Sequence, residues 1–213
     1  FSMLAHEIKT PLATLSMWME TGTLSPSKIS RSISDMNLIL ERSVQSGQLA
    51  DQSLQPATEH LDAKAITHAC VQWCRTPDLV DAVCPEGPAY LTGDAHMLQI
   101  VLSNLLDNAC KYGQPAERIS LELTHWLLNE NPGWRWRISN SISPGDAPEA
   151  NRLFEKYYRS PQARRQSGSG LGLFLVKGLV DLMEGTITYE LKDERVTFEI
   201  WLPSQAPWPR ISP

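Results

Sequence analysis

Apolar residues at Phe1, Leu4, Ile8, Leu12, Leu15 and Met19 recur at spacings of three and four, which lays one apolar stripe along a helix. The stretch TGTLSP from Thr21 to Pro26 breaks the pattern, and a second stripe follows at Ile29, Ile33, Met36, Leu40 and Val44. Two amphipathic helices with a short turn predict an antiparallel hairpin over residues 1–50. A hairpin of that size buries too little surface to stand alone, so two copies are expected to pair into a four-helix bundle.

The polar stretch 47–58 carries Pro56 and predicts a hinge, with the linker proper at 51–58. Beyond it the pattern alternates. His60–Arg75 predicts a helix with Ala65, Ile66, Ala69 and Trp73 on one face, and Leu79–Cys84 and Ala89–Thr92 predict short strands. Asp94 is an expected N-cap for a helix running to about Tyr112. Alternation at Ile119, Leu121 and Leu123, and again at Trp134, Trp136 and Ile138, predicts two strands. Leu171–Glu184 predicts a helix closed by Gly185, followed by a hairpin of Thr186–Leu191 and Val196–Leu202 across Lys192–Glu194. The expected fold class is therefore α+β: a helical hairpin, then an α/β sandwich over 59–203 with helices on one face of a mixed sheet, then a loose proline-rich tail at 204–213.

Composition narrows the function. With 42% hydrophobic and 20% charged residues the chain has the apolar mass for a core, which excludes wholesale disorder. Nineteen basic against 24 acidic residues give a net charge of -5, which disfavours nucleic-acid binding through overall charge. No apolar run approaches the ~18 residues a spanning helix needs. The start at Phe1, without Met, is read as a fragment, so any membrane anchor is expected only in a missing upstream region. Cys70, Cys74, Cys84 and Cys110 lack the spacing of a zinc site and are expected to be reduced and packed as small hydrophobes in a cytosolic domain.

Three strings carry chemistry. In HEIKTPL, His6 lies off the apolar stripe, Glu7 beside it can orient the imidazole and accept its proton, and Thr10 sits one turn along. Position 10 is not His, so the zinc-protease pattern fails, and Pro11 is expected to bend the helix. In NLLDNACKY, Asn104, Asn108 and Lys111 share one helix face, where amide oxygens suit a hard metal and the ammonium suits phosphate. In GSGLGL, Gly168, Gly170 and Gly172 open a helix whose backbone N–H groups can approach an anion. It follows no apolar strand and carries no GK[ST], so neither the dinucleotide fingerprint nor a P-loop is present. The basic loop before it, Tyr158–Ser167, suits a mobile lid over phosphates.

HEIKTPL, NLLDNACKY, LFEKYYR and GSGLGL, in this order, strongly resemble the H, N, F and G2 boxes of bacterial two-component sensor histidine kinases. The resemblance covers nearly the whole chain and implies a dimerising hairpin followed by a Bergerat-type (GHKL) ATP-binding sandwich. It implies His6 as phosphoacceptor, Glu7 as its base and Thr10 as the residue orienting water when the partner is dephosphorylated. It implies Asn104 and Asn108 as Mg²⁺-ATP asparagines, Lys111 on phosphate and Tyr112 near the nucleotide. Phe154 would anchor the lid, with Arg159, Arg164 and Arg165 as candidate phosphate contacts. Gly168, Gly170, Leu171 and Gly172 would frame the triphosphate loop. The implied cofactors are ATP and Mg²⁺, and the implied partners are a second copy through residues 1–50 and a response-regulator receiver domain. The implied setting is the cytoplasmic portion of a protein anchored in the bacterial inner membrane. One motif departs. Counting back from Leu153–Phe154, the aspartate of the family's DxGxG box falls on Asn140, and its glycines fall on Ile142 and Pro144. The alternative reading is a phosphatase-biased or nucleotide-deficient dimeric scaffold.

Overall fold

The computed structural model describes residues 2–160, 163 and 168–204, with backbone alone at 2–4, 6, 7, 31, 34, 35 and 38. The side chains of His6 and Glu7, the whole of Arg164 and Arg165, and the tail from 205 onward lie outside the described residues.

Two helices form the hairpin, α1 (Ser2–Glu20) and α2 (Pro26–Ala50). Ser25 caps α2, its hydroxyl accepting from the Lys28 N–H, and Pro26 stands in the first turn, where a missing N–H costs nothing. α2 continues through Gly47 to Ala50, so the first four residues of the expected hinge are helical and only 51–58 is irregular. Both stripes remain exposed in a single copy: Leu12, Met19, Ile29, Ile33, Leu40 and Val44 all face solvent, Met19 at 68%.

The second unit opens differently from the predicted helix at His60. Glu59–Asp62 is a strand, β1, paired antiparallel with β3 (Tyr90–Gly93), and α3 spans Ala63–Trp73. The cause is Asp62, whose carboxylate accepts from the Lys64 and Ala65 N–H groups and so fixes the helix start at Ala63, three residues after His60. β2 (Val80–Val83) and α4 (Ala95–Tyr112) follow. Asp94 caps α4 by accepting from Met97 N–H at 2.8 Å.

β4 (Ile119–Leu128) and β5 (Asn131–Ser141) then form a hairpin, as do β6 (Thr186–Lys192) and β7 (Arg195–Pro203). Each turns on two residues with positive φ, Asn129–Glu130 and Asp193–Glu194, the geometry that matches strand twist. The sheet order is β2-β4-β5-β7-β6, with β2 and β4 parallel and the rest antiparallel.

Between the sheet and α3, α4 and α5 (Gly172–Leu182) lies the core: Leu98, Leu102 and Leu105 against Leu121, Trp136 and Ile200, closed by Leu175 and Leu179. The buried indole of Trp136 donates to Thr67 Oγ1 at 2.9 Å, which leaves no orphan donor there. α5 stops at Leu182 rather than at Gly185. Glu184 takes the left-handed conformation, and Gly185 serves close packing instead, since a Cβ there would lie 2.5 Å from Leu202 and from the Trp201 carbonyl. The four cysteines are free thiols, and burial pushes those of Cys70, Cys74 and Cys84 up, which keeps them protonated.

The hairpin touches the sandwich through α2. Leu49 lies over Gly178 of α5 so closely that a Cβ at 178 would be 2.8 Å from it, and Arg42 reaches Asp107 of α4.

Candidate functional site

A cavity of about 290 Å³ opens between α4, the ends of β5 and β7, and the glycine string before α5. α4 contributes Asn108, Lys111 and Tyr112, and β5 contributes Asn140. Gly168, Gly170 and Gly172 form the opposite rim. Ile142, Val196 and Phe198 make an apolar wall suited to a flat ring.

Asn104 lies under this cavity rather than in its wall. It is 2% exposed, its amide donates to the Ile100 carbonyl at 2.7 Å, and its Oδ1 is buried with no hydrogen-bond partner among the described residues. That oxygen faces Gly172, where a Cβ would stand 3.0 Å away. A buried carbonyl oxygen without a donor is costly unless something supplies positive charge, and a hard cation with oxygen ligands fits. Asn108, one turn on, brings a second amide to the wall, so this pair fits Mg²⁺ bound to a polyphosphate.

Gly170 is the most constrained of the glycines. Its φ is +68°, and a Cβ would meet the backbone of Tyr157 and Tyr158 at 2.7 Å. Its carbonyl accepts from the Tyr157 N–H, which ties the glycine string to the segment after Phe154. Ser169 accepts from Leu171 N–H at 3.2 Å, and α5 then starts with its free N–H groups at the cavity.

Lys111 points at a partner the sequence reading did not assign. Its ammonium donates to Asp107 Oδ2 at 2.8 Å, while Arg75 Nε reaches Oδ1 at 2.9 Å and Arg42 lies 3.5 Å from Oδ2. Burial pushes the Asp107 carboxyl up, but Lys111, Arg42 and Arg75 outweigh it and hold the group below the ordinary carboxylate range. A depressed carboxyl stabilises above its unfolded pKa, and the contribution is lost as pH falls through the folded value. Asp107→Asn should therefore cost about 2 kcal/mol at neutral pH, with the gap to the parent closing in acid. Thermal melts across pH test this; a gap that stayed constant down to acid would remove the ionic account.

The other expected residues divide. Tyr112 and Arg159 line the cavity, and the Arg159 guanidinium also donates to the Ala163 carbonyl. Phe154 is half-buried against the core, and its neighbour Leu153 lines the cavity instead. Leu171 is buried at the helix start and lies outside the lining. Asn140 is 5% exposed, lines the cavity and donates its amide to Ser141 O at 3.2 Å. Thr10 is exposed on α1, which runs on through Pro11 as an unbroken helix. Sequence reasoning missed Tyr158, Val196 and Phe198. Tyr158 stood in the LFEKYYR string, while the other two look like any alternating strand residues.

A family model described as histidine kinase-, DNA gyrase B-, and HSP90-like ATPase matches residues 93–206. The sensor histidine kinase CusS of Escherichia coli O157:H7 is 28% identical over 223 residues, covering 95% of this chain and 44% of CusS. The sensor protein VanS of Enterococcus faecium is 25% identical, covering 94% of this chain and 56% of VanS. The chain thus spans about half the length of these relatives. Among solved structures, the Acinetobacter baumannii histidine kinase AdeS superposes with a TM-score of 0.63 at 20% identity, covering 93% of this chain and 98% of that one.

Proposed function

The chain belongs to the histidine kinase-, DNA gyrase B- and HSP90-like ATPase family as a bacterial sensor histidine kinase catalytic core, and on that premise we propose that it moves the γ-phosphoryl group of ATP onto His6 and then to an aspartate of a response regulator. The observation that carries this reading is the orphaned Asn104 oxygen beneath a glycine-rimmed cavity that also holds Asn108 and Lys111.

ATP places its base against Ile142, Val196 and Phe198 and its phosphates along the glycine rim. Asn104 and Asn108 would hold Mg²⁺, whose charge would offset that of the phosphates. Lys111, Arg159, Arg164 and Arg165 hold the phosphates, Tyr112 stands near the nucleotide, and Phe154 anchors the lid through the core. The imidazole of His6 forms the new P–N bond as the β–γ bridging P–O bond breaks and ADP departs. Glu7 orients the ring and takes its proton. Thr10 orients water for hydrolysis of the regulator's acyl phosphate, the phosphatase half of the proposal.

The exposed apolar stripes of α1 and α2 support a homodimer through residues 1–50, and a monomer by light scattering at micromolar concentration would remove it. A membrane anchor upstream of Phe1 and a cytoplasmic setting for this portion complete the proposal. Incubation with γ-labelled ATP tests its centre: label should appear as acid-labile, base-stable phosphohistidine, and its absence at saturating Mg²⁺-ATP would refute kinase activity.

The second reading, a weakly binding or phosphatase-biased sensor, draws on Asn140 standing where the family has an aspartate. Asn140 Oδ1 accepts from the adenine amino group as a neutral acceptor, worth ~0.5–1.5 kcal/mol against ~1.5–3 for a carboxylate. Asn140→Asp should tighten ATP binding roughly fivefold and Asn140→Ala should weaken it. Calorimetry on the three proteins decides, and three equal affinities would place the adenine contact elsewhere, with Asp146 in the same lining as the next candidate.

A further inference from the structure

We propose that Arg42, a residue of the helical hairpin, binds the phosphates of the nucleotide held by the catalytic unit. The inference rests on the ATP reading above and adds to it a residue from outside the ATPase fold.

Arg42 lies on α2, yet it lines the nucleotide cavity with Asn108 and Lys111. Its side chain is 11% exposed. The contact it makes is weak. Nη2 stands 3.5 Å from Asp107 Oδ2, at the outer limit of a hydrogen bond, while Lys111 Nζ holds the same oxygen at 2.8 Å and Arg75 holds Oδ1 at 2.9 Å. Arg42 is thus the third cation on a carboxylate whose two oxygens already have short partners. Its Nε is buried and has no acceptor among the described residues. A buried guanidinium N–H without an acceptor is unfavourable, and a polyphosphate in the adjoining cavity offers several oxygens in the planar geometry that arginine matches.

Height along the hairpin adds a second argument. α1 and α2 run antiparallel from the turn at 21–25, and Arg42 and His6 stand at similar distances in sequence from it. Arg42 therefore reaches the cavity from the level of the proposed phosphoacceptor. Phosphate charge then draws the hairpin onto the sandwich, and by linkage the docked hairpin tightens phosphate binding by the same factor.

Calorimetry at fixed ionic strength on the full chain tests this with ATP, ADP and adenosine. Arg42→Gln should weaken ATP roughly tenfold, weaken ADP less and leave adenosine unchanged, and Arg42→Lys should recover part of the loss. Equal losses for ATP and adenosine would make Arg42 a purely structural residue and overturn the inference, as would an unchanged ATP affinity. A parent protein that bound no ATP would instead overturn the nucleotide reading, and this inference with it. Should Arg42→Gln fail to fold, hydrogen exchange in the parent decides: ATP should protect the α2 segment around Arg42 more than adenosine does, and equal protection would count as refutation.

Discussion

His6→Ala is expected to abolish histidine phosphorylation completely while changing ATP affinity by less than about twofold. The asymmetry follows from placement. Among the described residues the cavity is built from α2, α4, β5, the segment between β5 and α5, the first turn of α5, β6 and β7, and α1 contributes nothing to its lining. Removing an acceptor on α1 deletes the nucleophile and leaves the binding surface whole. The chain has five histidines, so the control matters. His96 is the strongest competitor, because it is exposed and its Nε2 lies 3.6 Å from Glu41 of the hairpin, an imidazole beside a carboxylate. Filter-binding of acid-labile label on the parent, His6→Ala and His96→Ala separates the two. Label that survived in His6→Ala and vanished in His96→Ala would move the acceptor to α4.

The second large effect is expected at Gly170. Alanine there must hold φ near +68°, and its Cβ would stand 2.7 Å from backbone atoms of both Tyr157 and Tyr158. Backbone cannot swing away as a side-chain tip can. Strain at a left-handed position costs ~1–3 kcal/mol, and overpacking adds a similar amount. The chain relieves it by separating the glycine string from the Tyr157 segment, which also breaks the bond from Tyr157 N–H to the Gly170 carbonyl. Gly170→Ala should therefore melt several degrees lower and bind ATP at least tenfold more weakly. Gly87→Ala is the matched control, since nothing lies within 4 Å of its Cβ position. Differential scanning calorimetry with ATP titration reads both quantities, and parent-like behaviour of Gly170→Ala would show that the rim tolerates a side chain.

Much of this architecture was legible because local chemistry and tertiary packing agree. α2 follows the break at 21–26, α4 begins where Asp94 caps it, and β6 and β7 alternate because one face meets the helices. Pattern and fold part where a cap intervenes. Apolar spacing after His60 suggests a helix, but Asp62 withholds its start, and β1 exists only because Tyr90–Gly93 lies alongside it. Gly185 misled for a related reason: a glycine after a helix suggests a left-handed closure, whereas the tightness against Trp201 and Leu202 is visible only in three dimensions. At the candidate site, the strings supply Asn108, Lys111, Tyr112, Arg159 and the glycines to the cavity lining, while Asn104, Phe154 and Leu171 stand outside it. Val196 and Phe198 reach the cavity through the order of the sheet, and Arg42 reaches it only because α2 packs on the sandwich. Asp107 stood inside a recognised string, but its role depends on cations from two other elements.

The order of the sheet also governs how copies of this chain can adhere to one another. An open sheet ends in two rows of unpaired peptide groups, and such rows invite another chain to add a strand. Here one end is β2, only four residues long, with Asp81 in its run, so it offers a template too short to hold a stranger. The other end is β6, whose last three residues are exposed and include Glu190 and Lys192. A like edge brought against it would bury these charges beside one another. Strand-by-strand growth toward fibrils is thereby disfavoured at both ends of the sheet. The exposed apolar side chains of α1 and α2, Met19 and Val44 among them, offer a second copy a surface of another kind, where side chains rather than peptide groups would set the register.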